Sequence, residues 1–345
     1  MILFSLLPND MRAWRSFLFR WIVILALLIS GVIYIINMPD ASYSGPLQPL
    51  SVHERQLSDN LKQHVILLAD RIGERNVGRP QQLAAAAAYI QKVLENSGFN
   101  VTAQDYPAAG ITVKNLEAEQ RGASSPEEIV IIGAHYDSVL GSPGANDNAS
   151  GVACILEVAR LIAGQKLKRT VRVVAFVNEE PPFFQTALMG SRISAVRSRQ
   201  RRENIVAMLS IETVGYYSDA PGSQHYPVPF SFFYPDTGNF IGFVSNLSSR
   251  KLLHKVMASF RNHTAFPSEG VAAPGWITGI GWSDQWSYWK EGYVGIMVTD
   301  TAPFRYPYYH TVQDTPDKID YERLARVVAG IARVVTELAG PDASP

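Results

Sequence analysis

Apolar runs of two lengths divide this chain. The longer, Trp21 to Ile36 (WIVILALLISGVIYII), carries no charge, and Phe17, Leu18 and Phe19 extend its character. As a helix of roughly 20 residues it is about long enough to cross a bilayer core. The shorter runs are Glu128 to His135, Thr170 to Val177 (TVRVVAFV) and Ile205 to Ile211. They read as strands buried on both faces. Asn100 to Tyr106, Val113 to Glu119, Phe240 to Val244 and Tyr293 to Val298 are further strands. Between them the apolar spacing turns helical. Leu57, Leu61, Val65, Leu68 and Ile72 fall on one stripe, and Gln81 to Asn96 is an Ala-rich helix with Gly98 just past its end. Ala149 to Ile162, Gly190 to Arg202, Ser248 to Phe260 and Tyr321 to Leu338 are expected helices. Ser218 to Asn239, rich in aromatics, Pro and Gly, is expected to be a long irregular loop. Strands alternating with helices predict an α/β fold: a mostly parallel central sheet with helices on both faces, preceded by one N-terminal transmembrane helix.

Charge gives this arrangement a direction. Arg12, Arg15 and Arg20 precede the span and Asp40 follows it. The positive-inside bias then keeps residues 1–20 cytoplasmic and makes 21–38 a signal anchor. Residues 39–50, with Pro39, Gly45, Pro46 and Pro49, read as a linker, and 51–345 as one large domain on the periplasmic or extracellular side. A cleaved signal peptide is the alternative, but Asn37-Met38-Pro39-Asp40 offers no small-x-small cleavage site. Lys plus Arg and Asp plus Glu balance at 31 each, so charge makes no case for a nucleic-acid partner. Cys154 is the only cysteine, which excludes an intramolecular disulfide and a thiolate metal cluster; it reads as a small buried apolar residue.

The chemistry gathers at the ends of the buried strands. His135 and Asp137 close one, Glu179 and Glu180 follow another, and Glu212 ends a third. Asp147 sits in a Gly/Asn loop leading into a helix, and His310 lies after the last strand. In open α/β sheets, sites form beyond the carboxyl ends of strands, so separate segments deliver imidazole and carboxylate groups to one edge. Zinc takes such ligands and keeps a position open for water. A pair of metals needs a bridging group, and one carboxylate must stay free to move protons. Glu179 and Glu180, as neighbours, point different ways and can divide those jobs. Asp137 shares a strand face with His135 and can fix its tautomer. His53, His64, His225, His254 and His263 lack such context and are expected to be surface or structural. Tyr216, Tyr217, Tyr306, Tyr308, Tyr309, Trp282 and Trp286 are expected in the core or a pocket wall, and the Arg197 to Arg202 run on a solvated face.

His-x-Asp at His135, Asp147-Asn148-Ala149-Ser150-Gly151, Glu179-Glu180 and His310-Thr311-Val312-Gln313-Asp314-Thr315 resemble, in order and spacing, metallopeptidase family 28. That family holds co-catalytic two-zinc aminopeptidases and glutamate carboxypeptidase, and the resemblance runs from about Arg79 to Leu338. It implies a zinc-dependent exopeptidase acting on peptide substrates with two Zn²⁺ ions, most often as an aminopeptidase. By that resemblance His135 and Glu212 hold the first zinc, Glu180 and His310 the second, and Asp147 bridges them. Glu179 is then the catalytic base and acid, and Asp137 orients His135.

The chain departs from the pattern in three places. Glu212 stands where the family usually has Asp, one methylene shorter. Pro181-Pro182-Phe183-Phe184 replaces a small Gly-rich turn. Ser283-Asp284-Gln285 stands where Ser-Asp-His is frequent, which puts Asp284 near the site without making it a ligand. Two rivals share the fold: a one-zinc glutaminyl cyclase-like acyltransferase, and a non-catalytic ectodomain kept for binding. The complete Asp147 to Gly151 motif favours the peptidase over the first, and the retention of every candidate group over the second. Aromatics between Tyr216 and Phe240 and between Trp276 and Trp289 suggest an apolar wall for a substrate side chain.

Overall fold

The computed structural model describes residues 10–341, so part of the expected cytoplasmic segment, residues 1–9, lies outside the described residues. The chain divides into two compact units, Met1–Asn37 and Met38–Pro345. The first is built on helix α1 (Met11–Ile36). Its apolar stretch Trp14–Ile36 spans 23 residues, about 34 Å at 1.5 Å per residue, long enough to cross a bilayer core. Arg12, Arg15 and Arg20 lie within this helix, ahead of its uncharged run from Trp21 to Ile36.

The second unit folds around an eight-stranded sheet: β1 (Val101–Ala108), β2 (Ile111–Gln120), β3 (Ser125–His135), β4 (Arg169–Phe176), β5 (Asn204–Glu212), β6 (Ile241–Ser245), β7 (Ser268–Ala272) and β8 (Ile296–Thr299). The spatial order is β1-β2-β4-β3-β5-β8-β6-β7. The central run β4-β3-β5-β8 is parallel throughout, while β1 and β2 join one flank antiparallel and β6 meets β8 antiparallel. The mixed α/β architecture expected from the pattern is the one observed.

Helices α2 (Val52–Val65), α3 (Pro80–Asn96), α4 (Gly151–Ile162), α5 (Gly190–Gln200), α6 (Arg250–His263), α7 (Gln285–Lys290), α8 (Ala302–Arg305) and α9 (Tyr321–Ala339) complete the domain. Strand β3 shows why its run is apolar without alternation. Val130, Ile132 and Ala134 enter a large core shared with α2, α3, α4, α6 and α9. Ile129 and Ile131 enter a smaller core with Phe176, Met208 and Tyr288, under α5 and α7. Each fully buried branched side chain contributes roughly 1.5–3 kcal/mol to that packing. The helical stripe from Leu57 to Ile72 lies on α2 followed by a π-helical segment, Ile66–Ile72. Ser51 caps α2 through a reciprocal pair of bonds with Glu54.

Residues 39–50 carry no regular structure but are held to the domain. Arg261 donates to the carbonyls of Pro39 and Asp40 at 2.7 and 2.6 Å, and Ser42 Oγ accepts from the backbone of Ser268 at 2.9 Å. The Arg197 to Arg202 run is not wholly solvated, because Arg197 turns back to pair with the buried Glu117. His64 is buried between Tyr89 and Glu157, a structural role.

Candidate metal centre

Three adjacent parallel strands deliver most of the site at one sheet edge. His135 ends β3, Glu212 ends β5, and Glu179 and Glu180 follow β4 directly. His310 arrives from the loop after α8, and Asp147 from the turn before α4. All but His310, which is half-exposed, are buried.

Asp147 stands at the centre of these groups. Its Oδ1 lies 3.3 Å from His135 Nε2 and its Oδ2 lies 3.0 Å from His310 Nε2. His135 Nε2 is also 3.3 Å from Glu212 Oε2. His310 Nε2 is also 3.3 Å from Glu180 Oε2. Two groups suited to a cation result, His135 with Asp147 and Glu212, and Asp147 with Glu180 and His310. Glu179 belongs to neither; its Oε2 stands 3.9 Å from His135 Nε2. The sequence-predicted residues therefore converge, with Asp147 presenting one oxygen to each group.

The turns that aim these side chains follow from local chemistry. Asp137 accepts the backbone N–H groups of Glu179 and Glu180, each at 3.2 Å, one on each oxygen. Its Oδ1 also faces His135 Nδ1 at 3.4 Å. The turn between β4 and Glu179 passes through Asn178 at φ 59°, a left-handed conformation that asparagine tolerates better than most residues. Glu180 accepts the N–H of Val139 on Oε1 at 3.1 Å, which leaves Oε2 facing His310. Asn146 and Asn148 fasten the loop of Asp147. Asn146 Oδ1 accepts from Gly215 N–H at 2.9 Å, and Asn148 Oδ1 from Thr213 N–H at 3.1 Å. Asn148 Nδ2 donates to the Ile211 carbonyl at 2.8 Å. The motif ends in Gly151 because a Cβ there would sit 2.7 Å from the Ile211 carbonyl oxygen and 2.2 Å from Asn148 Oδ1.

Sequence reasoning gave four residues no supporting role at the site, Tyr309 among them, which it placed only in the core or a pocket wall. Ser283 Oγ donates to Glu212 Oε2 at 2.6 Å. Asp314, fully buried, accepts the N–H groups of Asn146 and Asp147 at 2.8 and 3.1 Å and the hydroxyl of Tyr306 at 2.7 Å. Arg75, fully buried, donates to the carbonyls of Tyr136, Pro143 and Gly144 at 2.7, 2.5 and 2.8 Å. Tyr309 stacks on the His310 ring with centroids 3.8 Å apart. Asp314 was visible as the Asp of the late His-Thr motif; Arg75 lies just before Asn76-Val77-Gly78-Arg79-Pro80. Asp284 is buried beside the site and outside both groups, its carboxyl pushed up to about 7 mainly by burial.

The electrostatics call for cations. Burial pushes Glu179 well above the usual carboxylate range, against the pull of His135 and with Glu212 and Glu180 adding to the rise. Burial likewise lifts Glu180 to about 8, with Asp147 adding. Burial works against a charge on His135, yet Glu212 and Glu179 hold its imidazole well above its ordinary value. Both ring nitrogens of His135, and Nε2 of His310, approach carboxylates without the alignment of hydrogen bonds. Buried carboxylates this dense need compensating positive charge. The nitrogen and oxygen donor set fits zinc.

Beside Glu212 opens an apolar pocket with about 100 Å³ of free interior. Tyr226, Phe230, Tyr234 and Phe240 line it from one expected aromatic stretch and Trp282 from the other, together with Tyr309. Trp286 instead joins Trp276 and Trp289 in a neighbouring depression.

Comparison with known proteins places this geometry in a family context. The model of peptidase family M28 matches residues 115–335. The uncharacterized protein YfbL of Escherichia coli (strain K12) is 36% identical over 326 residues, covering 92% of this chain and 97% of that protein. The probable aminopeptidase YDR415C of Saccharomyces cerevisiae is 25% identical over 261 residues, 69% of this chain and 63% of its own length. Among solved structures, an aminopeptidase from Aneurinibacillus sp. strain AM-1 matches with a TM-score of 0.64 at 18% identity, covering 84% of this chain and 96% of its own. A glutaminyl cyclase from Bacteroides thetaiotaomicron matches at 0.61 and 19% identity, covering 81% and 97%. At these identities the structural likenesses establish the fold.

Proposed function

The chain belongs to peptidase family M28 and is a zinc metallopeptidase, and from that premise we propose that it is a two-zinc aminopeptidase held to a membrane by its N-terminal helix. The observation that carries the two-metal reading is the division of Asp147, one carboxylate oxygen facing each group of donors. His135 and Glu212 would complete one zinc site, and Glu180 and His310 the other. Zinc, when bound, supplies Lewis acidity: it acidifies water and polarises a scissile carbonyl.

The protein's own groups do the rest. Glu179 lies outside both donor groups yet faces His135. It takes a proton from the attacking water and returns it to the leaving amine. Asp137 holds His135 in one tautomer and, through the amides of Glu179 and Glu180, keeps base and ligand apart. Peptide substrates follow from the family. Cleavage at the N-terminus is supported by the aminopeptidases among the similar proteins, and the apolar pocket beside Glu212 receives the terminal side chain. Residues 21–38 serve as an uncleaved anchor with the domain periplasmic or extracellular; the apolar α1 supports this.

The test is zinc per chain in the full-length protein in detergent, measured with hydrolysis of aminoacyl-anilides. Two zinc ions per chain, and activity lost on chelation and restored by zinc, is the expected result. Activity surviving complete metal removal refutes the mechanism. One zinc with release of pyroglutamate from N-terminal glutamine would instead assign glutaminyl cyclase chemistry.

A further inference from the structure

A carboxylate with no part in the hydrolysis described above sits in the floor of the apolar pocket. Its position can be read from strand register. Glu212 on β5 pairs with Thr299 on β8, Thr299 with Gly242 on β6, and Gly242 with Glu269 on β7. Glu212 and Glu269 thus belong to one row across four neighbouring strands. Residues in register point to the same face, and three strand spacings separate the two by about 14 Å. The next row on that face is Met297, Val244 and Val271. All of these line the pocket. Thr299 and the side-chain-free Gly242 keep the path between the two glutamates low. The alternate residues of β7 face the other way: a Cβ on Gly270 would meet Met257 Sδ of α6 at 3.2 Å.

Glu269 is half-buried, and the cation near it makes its hydrogen bonds elsewhere. Burial lifts the Glu269 carboxyl, against the pull of Arg261 and the Ser42 hydroxyl. Among the described residues the cation bearing on it is Arg261, whose guanidinium is taken up by the carbonyls of Pro39, Asp40 and Ser268. Glu269 lines the pocket together with Tyr226 and Tyr234, and the Tyr234 hydroxyl donates to the carbonyl of the next residue, Gly270, at 2.7 Å. A carboxylate lodged among apolar walls costs free energy unless a positive group meets it. The pocket offers what a long cationic side chain needs: an apolar channel for the stem, aromatic faces and a carboxylate at the far end.

We propose that Glu269 makes this pocket select an N-terminal lysine or arginine, its methylene stem lying over the Met297–Val244–Val271 row and its cationic head meeting the Glu269 carboxylate. The reach agrees. A lysine or arginine extends roughly 6–7 Å from its Cα, and a charge-assisted hydrogen bond to a glutamate that rises from the sheet adds about 2.8 Å. Together they cover most of the 14 Å row, leaving a few ångströms between Glu212 Cα and a substrate Cα at the metal centre. Leucine, at under half that length, leaves Glu269 unmet. The proposal rests on the aminopeptidase reading of the same site.

The experiment compares lysyl-, arginyl-, norleucyl- and leucyl-anilides on the full-length protein and its Glu269→Gln and Glu269→Asp variants. Norleucine copies the lysine stem without the charge. Wild type should prefer the basic substrates over norleucine. Glu269→Gln should lower kcat/KM for them by roughly 10- to 100-fold, the worth of one charge-assisted hydrogen bond. It should leave norleucine unchanged or improved, with Asp intermediate. Equal losses on all four substrates, or a wild type that treats lysine and norleucine alike, overturns the proposal. If wild type cleaves none of them, the aminopeptidase reading fails instead. Pocket selectivity is then read from thermal shifts: argininamide should raise the Tm of wild type and not of Glu269→Gln, and equal shifts overturn it.

Discussion

Replacing Asp314 by asparagine tests how the Asp147 carboxylate, proposed to bridge two metals, is held, because Asp314 touches the loop of Asp147 and belongs to neither donor group. Its two oxygens accept three hydrogen bonds, from Asn146 N–H, Asp147 N–H and the Tyr306 hydroxyl. Asn in the better orientation keeps the two on Oδ1 and turns an NH₂ toward the Asp147 N–H. One buried donor then loses its acceptor, at about 1–3 kcal/mol, and the two remaining bonds lose their charge assistance. Against this, burial already lifts the Asp314 carboxyl to about 6, so removing the charge also removes a desolvation cost. The expected net loss is about 2–3 kcal/mol, or roughly 3–5 °C in Tm for a domain of this size. The measurement is thermal unfolding after chelation, so that metal binding does not mask the loop. A parallel chelator titration should show zinc released at roughly tenfold lower chelator, the usual scale for losing a group that orients a ligand. A Tm within about 1 °C of wild type, together with an unchanged titration, would refute the reasoning, since the Asp147 loop would then be set by its asparagines alone.

Glu179→Gln should lower kcat by roughly 10²- to 10⁴-fold with zinc content unchanged, because Glu179 lies in neither donor group; loss of zinc would show it to be a ligand. Gly133→Ala should cost about 1–3 kcal/mol by overpacking, since its methyl carbon would fall 2.4 Å from Phe176 Cε2; urea unfolding should show a lower midpoint at constant m. Glu157 gives a pH dependence. Burial raises its carboxyl, but hydrogen bonds from His64, Arg160 and Asn60 outweigh this and hold it at about 2. Its folded pKa lies below the unfolded value of about 4.3, so its contribution is complete above that pH and fades as pH falls toward 2. The stability difference between wild type and Glu157→Gln should therefore shrink from pH 5 to pH 3, and a constant difference would show that the charge is not what matters.

The strands that carry the site were legible because they are buried on both faces. Ile129 to Ile132 fill two cores at once, and such a run has few other readings. The convergence of His135, Glu179, Glu180 and Glu212 followed from chain ends on adjacent parallel strands, a consequence of topology. Strand β7 was not legible. Ser268–Ala272 is five residues with a glycine and a glutamate, and it is a strand because β6 pairs with it, not because of its own propensity. Helix α7, six residues long, is too short to show a period. Arg75 was missed for a different reason. Its partners are backbone carbonyls of the Tyr136 to Gly144 segment, and a side chain satisfied by main-chain oxygens leaves no complementary residue in the sequence.

Glu212 brings these lines together. Its side chain is one methylene longer than the aspartate the family usually has there. A longer side chain has one more torsion to fix, and fixing it costs conformational entropy. The fold meets that cost with Ser283, whose hydroxyl holds Oε2 at 2.6 Å and is itself set by Ser210 Oγ at 2.9 Å. Ser210 lies two residues before Glu212 on the same face of β5, so the strand that presents the ligand also aims the residue that restrains it. That same face continues across β8 and β6 to Glu269. One row of the sheet therefore runs from the candidate metal centre to the far end of the pocket, with a carboxylate at each end.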